Sequence, residues 1–153
     1  MFKKVLKAAV LVITCIFTLT ACNSLVSYYD RIDTVIKMSE DMLELYSDNI
    51  VSVGESINCD NISDYCSEED ELYKLLNSDN EYGNYSVVMV DEDKVLVRTD
   101  VIFYSVEGFL VNLGTDEISD TYNVPERLNY DNDKIDLVKT DQYDNVYTFR
   151  AGL

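Results

Sequence analysis

The stretch KVLVRTDVIFYSV, residues Lys94–Val106, indicates the fold class of this chain. Its residues are mostly β-branched or aromatic, and they alternate with a period of two, which is typical of a β-strand. Arg98 and Asp100 fall on one face of this strand. The other face carries the residues that we expect helices to cover, namely Val95, Val97, Thr99, Val101 and Phe103.

Runs of the same kind lie on both sides of this stretch: YSVVMV (85–90), FLVNLG (109–114), KIDLVKT (134–140) and NVYTFR (145–150). Short, turn-rich links at Asp91–Asp93, Glu107–Gly108 and Asp141–Asn145 predict that the strands are antiparallel neighbours. Residues Gly114–Asn132 contain the single proline, Pro125, and form a long irregular loop with a short extended piece near Tyr122. Loops of this length are often functional.

Two helices precede the strands. Apolar residues spaced by four and three from Leu25 to Val53 predict a helix of about 30 residues that ends at Gly54. Such a stripe also occurs in coiled-coil stalks, but its width favours packing in a core. A shorter helix begins near Ser67, where Asp70 resembles a capping residue. The predicted fold is therefore α+β, with a long N-terminal helix and a shorter helix packed on a four- to six-stranded antiparallel sheet, an element order that resembles cystatin-like and NTF2-like domains.

The N-terminus has the layout of a secretory signal. Lys3, Lys4 and Lys7 precede an uncharged apolar run that is too short for a typical spanning helix, which needs about 20 apolar residues. The run ends in LTAC, residues 19–22, which resembles the lipobox of bacterial lipoproteins. The resemblance implies a signal peptide at 1–21, lipid (diacylglyceryl and palmitate-like acyl chains) on Cys22, and one domain at 22–153 anchored on the extracytoplasmic face of the cell membrane. The alternative is an ordinary signal peptide with a chance cysteine.

If Cys15 leaves with the signal and Cys22 carries lipid, Cys59 and Cys66 remain as a pair in an exported protein. We expect a structural disulfide between them, and two free thiols are the alternative. A zinc site is disfavoured because the chain has no histidine and no second thiol pair.

Composition excludes several functions. With 29 acidic and 12 basic residues, the net charge is −17, so the chain repels nucleic acid and anionic bilayers. The absence of histidine removes the usual base of a Ser or Cys nucleophile, and neither a phosphate-binding glycine loop nor a nucleotide motif is present. We therefore predict a non-enzymatic protein without a cofactor.

The sequence offers two candidate sites. Tyr122 and Tyr130 are the proposed binding residues of the long loop, because tyrosine combines a large rigid contact with a polar tip. A weaker candidate is a metal site in YDNDKID, formed by Asp131, Asp133 and Asp136, although an EF-hand glycine and glutamate are missing.

The predicted role is a binding domain for another envelope component. A first alternative is a small-ligand or ion binder that uses a cup in the curled sheet. A second is an immunity or superinfection-exclusion lipoprotein that blocks a toxin or phage component.

Overall fold

The structure is a computed structural model that describes residues 30–78, 81–102, 105–141 and 143–152. The chain divides into two compact units, Met1–Thr34 and Val35–Leu153. Residues 30–34 of the first unit are helical, and the second unit contains the remainder of this helix, α1 (30–47), with the elements that follow. The predicted signal peptide and lipidation site, Cys22, lie outside the described residues.

Within the described residues, one short helix and seven strands follow α1. In chain order they are β1 (Ser56–Asn58), α2 (Glu71–Leu76), β2 (Ser86–Asp91), β3 (Lys94–Ile102), β4 (Ser105–Asn112), β5 (Thr121–Asn123), β6 (Lys134–Lys139) and β7 (Val146–Gly152). Short 3-10 turns at Ile62–Asp64, Glu81–Asn84, Glu126–Leu128 and Asp131–Asp133 lie between these elements.

The strands form a single curled antiparallel sheet in the order β1-β2-β3-β4-β7-β6-β5. The predicted α+β class is confirmed. The sheet has more strands than the expected four to six because β1 and β5, of three residues each, add to its two edges. β5 is the short extended piece that was expected near Tyr122.

The end of α1 differs from the expected stop at Gly54. The helix ends at residue 47, and Asn49 adopts a left-handed conformation with φ of 60°. The Ile50 amide then donates to the Leu45 carbonyl at 2.9 Å, which is the bond that closes a helix in a Schellman motif. Asparagine tolerates this conformation better than most residues, so the helix can end at this point. The apolar spacing in the sequence continues beyond it and therefore does not mark the end of the helix.

The helix expected to begin at Ser67 begins at Glu71, and the expected Ser67–Asp70 pair forms in the turn before it without capping the helix. Asp70 occupies the N-cap position, and its carboxylate accepts hydrogen bonds from the Ser67 amide at 2.7 Å and from the Ser67 hydroxyl at 2.9 Å. The carboxylate thus organises the turn before the helix, and the first helical residue is Glu71.

The prediction of a turn at Glu107–Gly108 is wrong, because both residues belong to a strand. Gly108 lies inside β4, paired with Arg98 of β3. A Cβ atom here would come within 2.1 Å of the Val97 carbonyl oxygen and 2.9 Å of the Phe149 ring. Glycine is therefore required by close packing across the sheet and not by a turn.

Both faces of the sheet are buried over the central strands. The segment between β4 and β6, residues 113–133 (the crossing segment), covers one face through Val124 and Tyr130, with Ile118, Tyr122 and Leu128 packed at its margin. The apolar side chains of α1 that are fully buried within the second unit are Val35, Met38 and Met42. Over 35–47, α1 is therefore a core helix and not a separate coiled-coil stalk.

Candidate binding site around Tyr122

A cavity of about 490 Å³ lies where the crossing segment meets the β2–β3 hairpin. Its walls come from the ends of β2 and β3 and from two stretches of the crossing segment. The lining residues are Asp91, Lys94, Asp116, Glu117, Ile118, Ser119, Thr121, Tyr122 and Asn123. We refer to this space as the Tyr122 cavity, and its volume is within the range of about 300 to 1,000 Å³ that is usual for small-molecule sites.

Tyr122 is fixed by its strand and by one strong hydrogen bond. In β5 it pairs with Ile135 of β6, and its half-buried ring packs against the core. Its hydroxyl donates to the Asp91 carboxylate at 2.8 Å. The Glu92 amide also donates to that carboxylate, at 2.9 Å. The aromatic ring therefore has a defined position at the cavity wall.

The contacts of this pair shift the pKa values of its two groups in opposite directions. The hydrogen bond from Tyr122, followed by that from the Glu92 amide, lowers the pKa of Asp91. Burial, followed by the hydrogen bond to Asp91 and its charge, raises the pKa of Tyr122. At neutral pH the carboxylate is therefore ionised and the phenol is neutral, so the pair presents a negative charge beside an aromatic face.

An ion pair and hydrogen bonds connect the β2–β3 hairpin to the start of the crossing segment at the base of the cavity. Lys94 is 7% exposed, and its ammonium forms an ion pair with Asp93 at 2.5 Å. The Leu113 amide donates to the Asp93 carbonyl at 2.8 Å, and the Asn112 side-chain amide donates to the Asp116 carbonyl at 2.6 Å. These contacts anchor the start of the crossing segment to the sheet.

The charge of the cavity is negative. Asp91, Asp116 and Glu117 contribute three carboxylates to the lining, whereas Lys94 is the single cation there and Asp93 already neutralises it. The site therefore disfavours anions and suits neutral or cationic groups. The sequence pattern predicts that Asp91 belongs to a polar turn. The run of three acidic residues at 91–93 is the sequence signal that could have identified Asp91 as part of a binding site.

Tyr130, the second proposed binding residue, requires a correction. It is 4% exposed and belongs to the core, with its ring centroid 6.4 Å from that of Phe149. Its side chain is therefore buried against the sheet and is not available to a partner at the surface. Only Tyr122 of the two reaches the cavity.

The proposed metal residues are not brought together. Asp131 lies beside Gly152 of β7, whereas Asp136 lies on the exposed side of β6 between the buried residues Ile135 and Leu137. In the part of the chain that the structure describes, no group of three or more acidic or cysteine side chains could hold a metal ion. The prediction of a metal site fails for two reasons. Strand β6 separates Asp136 from Asp131, and the backbone makes a left-handed turn at Asn132 and Asp133.

The cup that a small-ligand binder would use is filled by the chain itself. On the covered face, Val124 and Tyr130 of the crossing segment pack directly against the apolar side chains of the central strands. The described part of that face therefore forms a core, and the Tyr122 cavity at its margin is the space that a ligand could enter.

A second, smaller cavity of about 250 Å³ lies between α1 and α2, and Asp41, Glu71 and Cys66 are among the residues that line it. Burial, followed by repulsion from Glu71, raises the pKa of Asp41. Burial, followed by the charge of Asp70, raises the pKa of the Cys66 thiol to about 11. This thiol is neutral at physiological pH and a poor nucleophile.

Cys59 and Cys66 are both free thiols in the structure, the first exposed and the second partly buried. The disulfide between them stays a prediction.

Across the described ranges, no helix combines the length and the apolar character that crossing a membrane requires. Comparison of the chain with protein-family models, with curated proteins and with solved structures finds no match.

Proposed function

We propose that the protein is a lipid-anchored lipoprotein of the bacterial envelope whose domain binds a neutral or cationic partner at the Tyr122 cavity, without catalysing a reaction. The observation that carries the binding role is the Tyr122–Asp91 pair, a fixed aromatic ring beside an ionised carboxylate at the wall of a cavity of about 490 Å³. Rigid aromatic groups and desolvated charges commonly dominate recognition.

The anchoring role depends on the lipobox-like LTAC, residues 19–22. Cys22→Ser removes the thiol that would receive lipid. We expect the variant to be released from membranes or to keep its signal peptide, as measured by fractionation and by the mass of the protein. A variant that stays on membranes with unchanged processing would refute the anchor.

The binding role can be tested by charge reversal without touching the core. Glu117 is exposed and lines the cavity, whereas Glu126 is exposed on the same segment and does not line it. After mild crosslinking in growing cells and purification of the tagged protein, we expect Glu117→Lys to lose the envelope component that wild type and Glu126→Lys retain. Equal recovery from the two variants would exclude the cavity as the contact surface.

A small polar ligand is the second candidate partner, because the volume of the cavity suits one. Mass spectrometry of small molecules released from the denatured protein separates the two cases. A bound compound that is present in wild type and Glu126→Lys but absent from Glu117→Lys would favour the small ligand over a protein partner.

A further inference from the structure

The two edges of the sheet differ in how their backbone groups are hydrogen-bonded. In an antiparallel sheet, alternate residues of an edge strand turn their N–H and C=O groups towards the neighbouring strand, and the residues between them turn theirs outward. An outward row of unpaired groups is a template for another strand. The partners of these groups therefore show which edge can accept an added strand.

At the β1 edge, one residue occupies most of the outward row. The Met89 amide donates to the Glu55 carbonyl at 3.2 Å, so the outward residues of β1 are Ser56 and Asn58. The Asn61 side chain donates to the Ser56 carbonyl at 2.9 Å and accepts from the Asn58 amide at 2.8 Å. The Asn61 amide donates to the Asn58 carbonyl at 3.2 Å. This edge is therefore closed to an added strand.

Hydrogen bonds define the same alternation at the β5 edge. The Leu137 amide donates to the Asp120 carbonyl at 2.8 Å, and the Val124 amide donates to the Asp133 carbonyl at 2.9 Å. Both bonds have the register of the β5–β6 pairing, so positions 120, 122 and 124 turn their backbone groups towards β6. The two positions between them, 121 and 123, therefore turn theirs outward.

The outward row of β5 is largely open. It consists of the backbone N–H and C=O groups of Thr121 and Asn123, which are both exposed residues. The Thr121 carbonyl accepts a hydrogen bond from the Ser119 hydroxyl at 3.0 Å, and the other three groups have no hydrogen-bond partner within the described residues. β5 is the last strand of the sheet, so no described strand covers this row.

The open row borders the Tyr122 cavity, because Thr121 and Asn123 are among the residues that line it. An antiparallel strand added here places one of its residues directly opposite Tyr122, with the two Cβ atoms about 4.5 to 5.5 Å apart. A long basic side chain at that position lies along the Tyr122 ring and extends towards Asp91, which accepts the hydrogen bond from the Tyr122 hydroxyl. The edge and the negative cavity therefore suit the same partner.

We propose that the partner of the Tyr122 cavity is an extended polypeptide segment that pairs with β5 as an added antiparallel strand and directs a lysine or arginine towards Asp91. This inference rests on the function proposed above and names the chemical class of the partner. Main-chain hydrogen bonds to Thr121 and Asn123 provide affinity, and the basic side chain provides specificity. A second copy of this chain is disfavoured as the occupant, because two chains of net charge −17 repel each other.

The test uses the full chain, isotope-labelled for NMR and purified in detergent. The probe is a short synthetic peptide of alternating threonine and valine with lysine at its centre. We expect saturable shifts of the Thr121 and Asn123 amide resonances and slower hydrogen exchange at both, since both amides gain an acceptor. The same peptide with a central glutamate should not bind, because the cavity is negative.

Two N-methylated forms of the lysine peptide separate strand pairing from other modes of binding. Methyl groups on the nitrogens of the two residues that flank the lysine block the edge that faces β5. Methyl groups on the nitrogens of the lysine and of the second residue after it lie on the opposite edge. We expect the first form to lose binding and the second to retain it. Equal binding of the two forms would overturn the inference, and this comparison uses the wild-type protein.

A pair of variants tests the same edge from the side of the protein. Asn123→Pro removes an outward amide and no hydrogen bond to β6, and proline is accepted in an edge strand where the N–H faces solvent. Asn123→Ala is the control, because it keeps the amide. We expect Asn123→Pro to bind the lysine peptide about tenfold more weakly than Asn123→Ala, since a carbonyl of the peptide loses its donor. Equal affinities would contradict strand pairing.

The inference and the proposed function fail in different ways. If Glu117→Lys loses the envelope component while Asn123→Pro and Asn123→Ala retain it equally, the cavity binds its partner without an added strand, and only the inference fails. If Glu117→Lys and Glu126→Lys recover the component equally, the proposed function itself fails. A lysine peptide that shifts neither the Thr121 nor the Asn123 amide would also overturn the inference and would leave the cavity to a small ligand.

Discussion

Replacing Tyr122 by phenylalanine removes one hydroxyl and leaves the ring in place against the core. A hydrogen bond to a charged group contributes about 1.5 to 3 kcal/mol when it is buried. Both Tyr122 and Asp91 are partly exposed, so water replaces part of the lost bond, and the Glu92 amide still donates to the carboxylate. We therefore expect Tyr122→Phe to lower the free energy of unfolding by about 1 kcal/mol, a decrease of about 4 °C in the melting midpoint for a chain of this size.

The loss should depend on pH in a defined direction. Because the hydrogen bond from Tyr122 lowers the pKa of Asp91 in the folded protein, the stabilisation is complete above the unfolded pKa of about 4 and is lost as pH falls through the folded pKa. The difference between wild type and Tyr122→Phe should therefore be full at pH 7 and should shrink below about pH 4. Urea unfolding at pH 7 and pH 3 measures it.

A double-mutant cycle with Asp91→Ala, which removes the acceptor, isolates the pair. We expect a coupling energy of about 1 kcal/mol at pH 7, and a value within about 0.3 kcal/mol of zero would refute the assigned interaction.

Three further predictions address other parts of the fold. In protein from the envelope, Cys59 and Cys66 should react with an alkylating reagent only after reduction, and labelling before reduction would exclude the disulfide. Asp41→Asn should raise stability at pH 7 but not at pH 3, because a raised folded pKa gives stability below the unfolded pKa that is lost as pH rises; equal unfolding midpoints at pH 7 would contradict this. Leu110→Ala, at a fully buried position, should cost about 2 to 5 kcal/mol in urea unfolding, and a loss below about 1 kcal/mol would contradict its place in the core.

The fold class was predictable because most strands carry their own pattern. The period of two in residues 85–90 and 94–102 reflects a sheet that must bury its β-branched side chains, and the acidic turn at 91–93 connects the two strands as expected. The prediction that the second strand continues to Val106 is wrong, because Ser105 and Val106 belong to β4 and pair with Ile102 and Val101 of β3. β1 was not predictable in this way. Its three residues show too little alternation, and its position is set by pairing of Ile57 with Val87.

Other features depended on contacts between residues distant in sequence. Gly108 follows an acidic residue and resembles a turn, yet Phe149, more than 40 positions later, occupies the space beside its backbone. Likewise, Tyr122 and Tyr130 belong to the same irregular segment, where no simple period relates a residue to a face. Which tyrosine is buried is decided by the sheet beneath them.

The crossing segment combines two roles that are usually separate, and this determines how its function has to be tested. Val124 and Tyr130 cover the sheet, whereas Glu117 is exposed at the cavity and contributes charge without joining the core. Alanine at either of the first two positions opens the core, so a loss of binding there would report unfolding. Charge reversal at Glu117 changes the potential of the cavity and leaves the packing intact. Loss of the partner from Glu117→Lys at unchanged unfolding free energy would therefore show that the cavity, and not the general integrity of the fold, determines recognition.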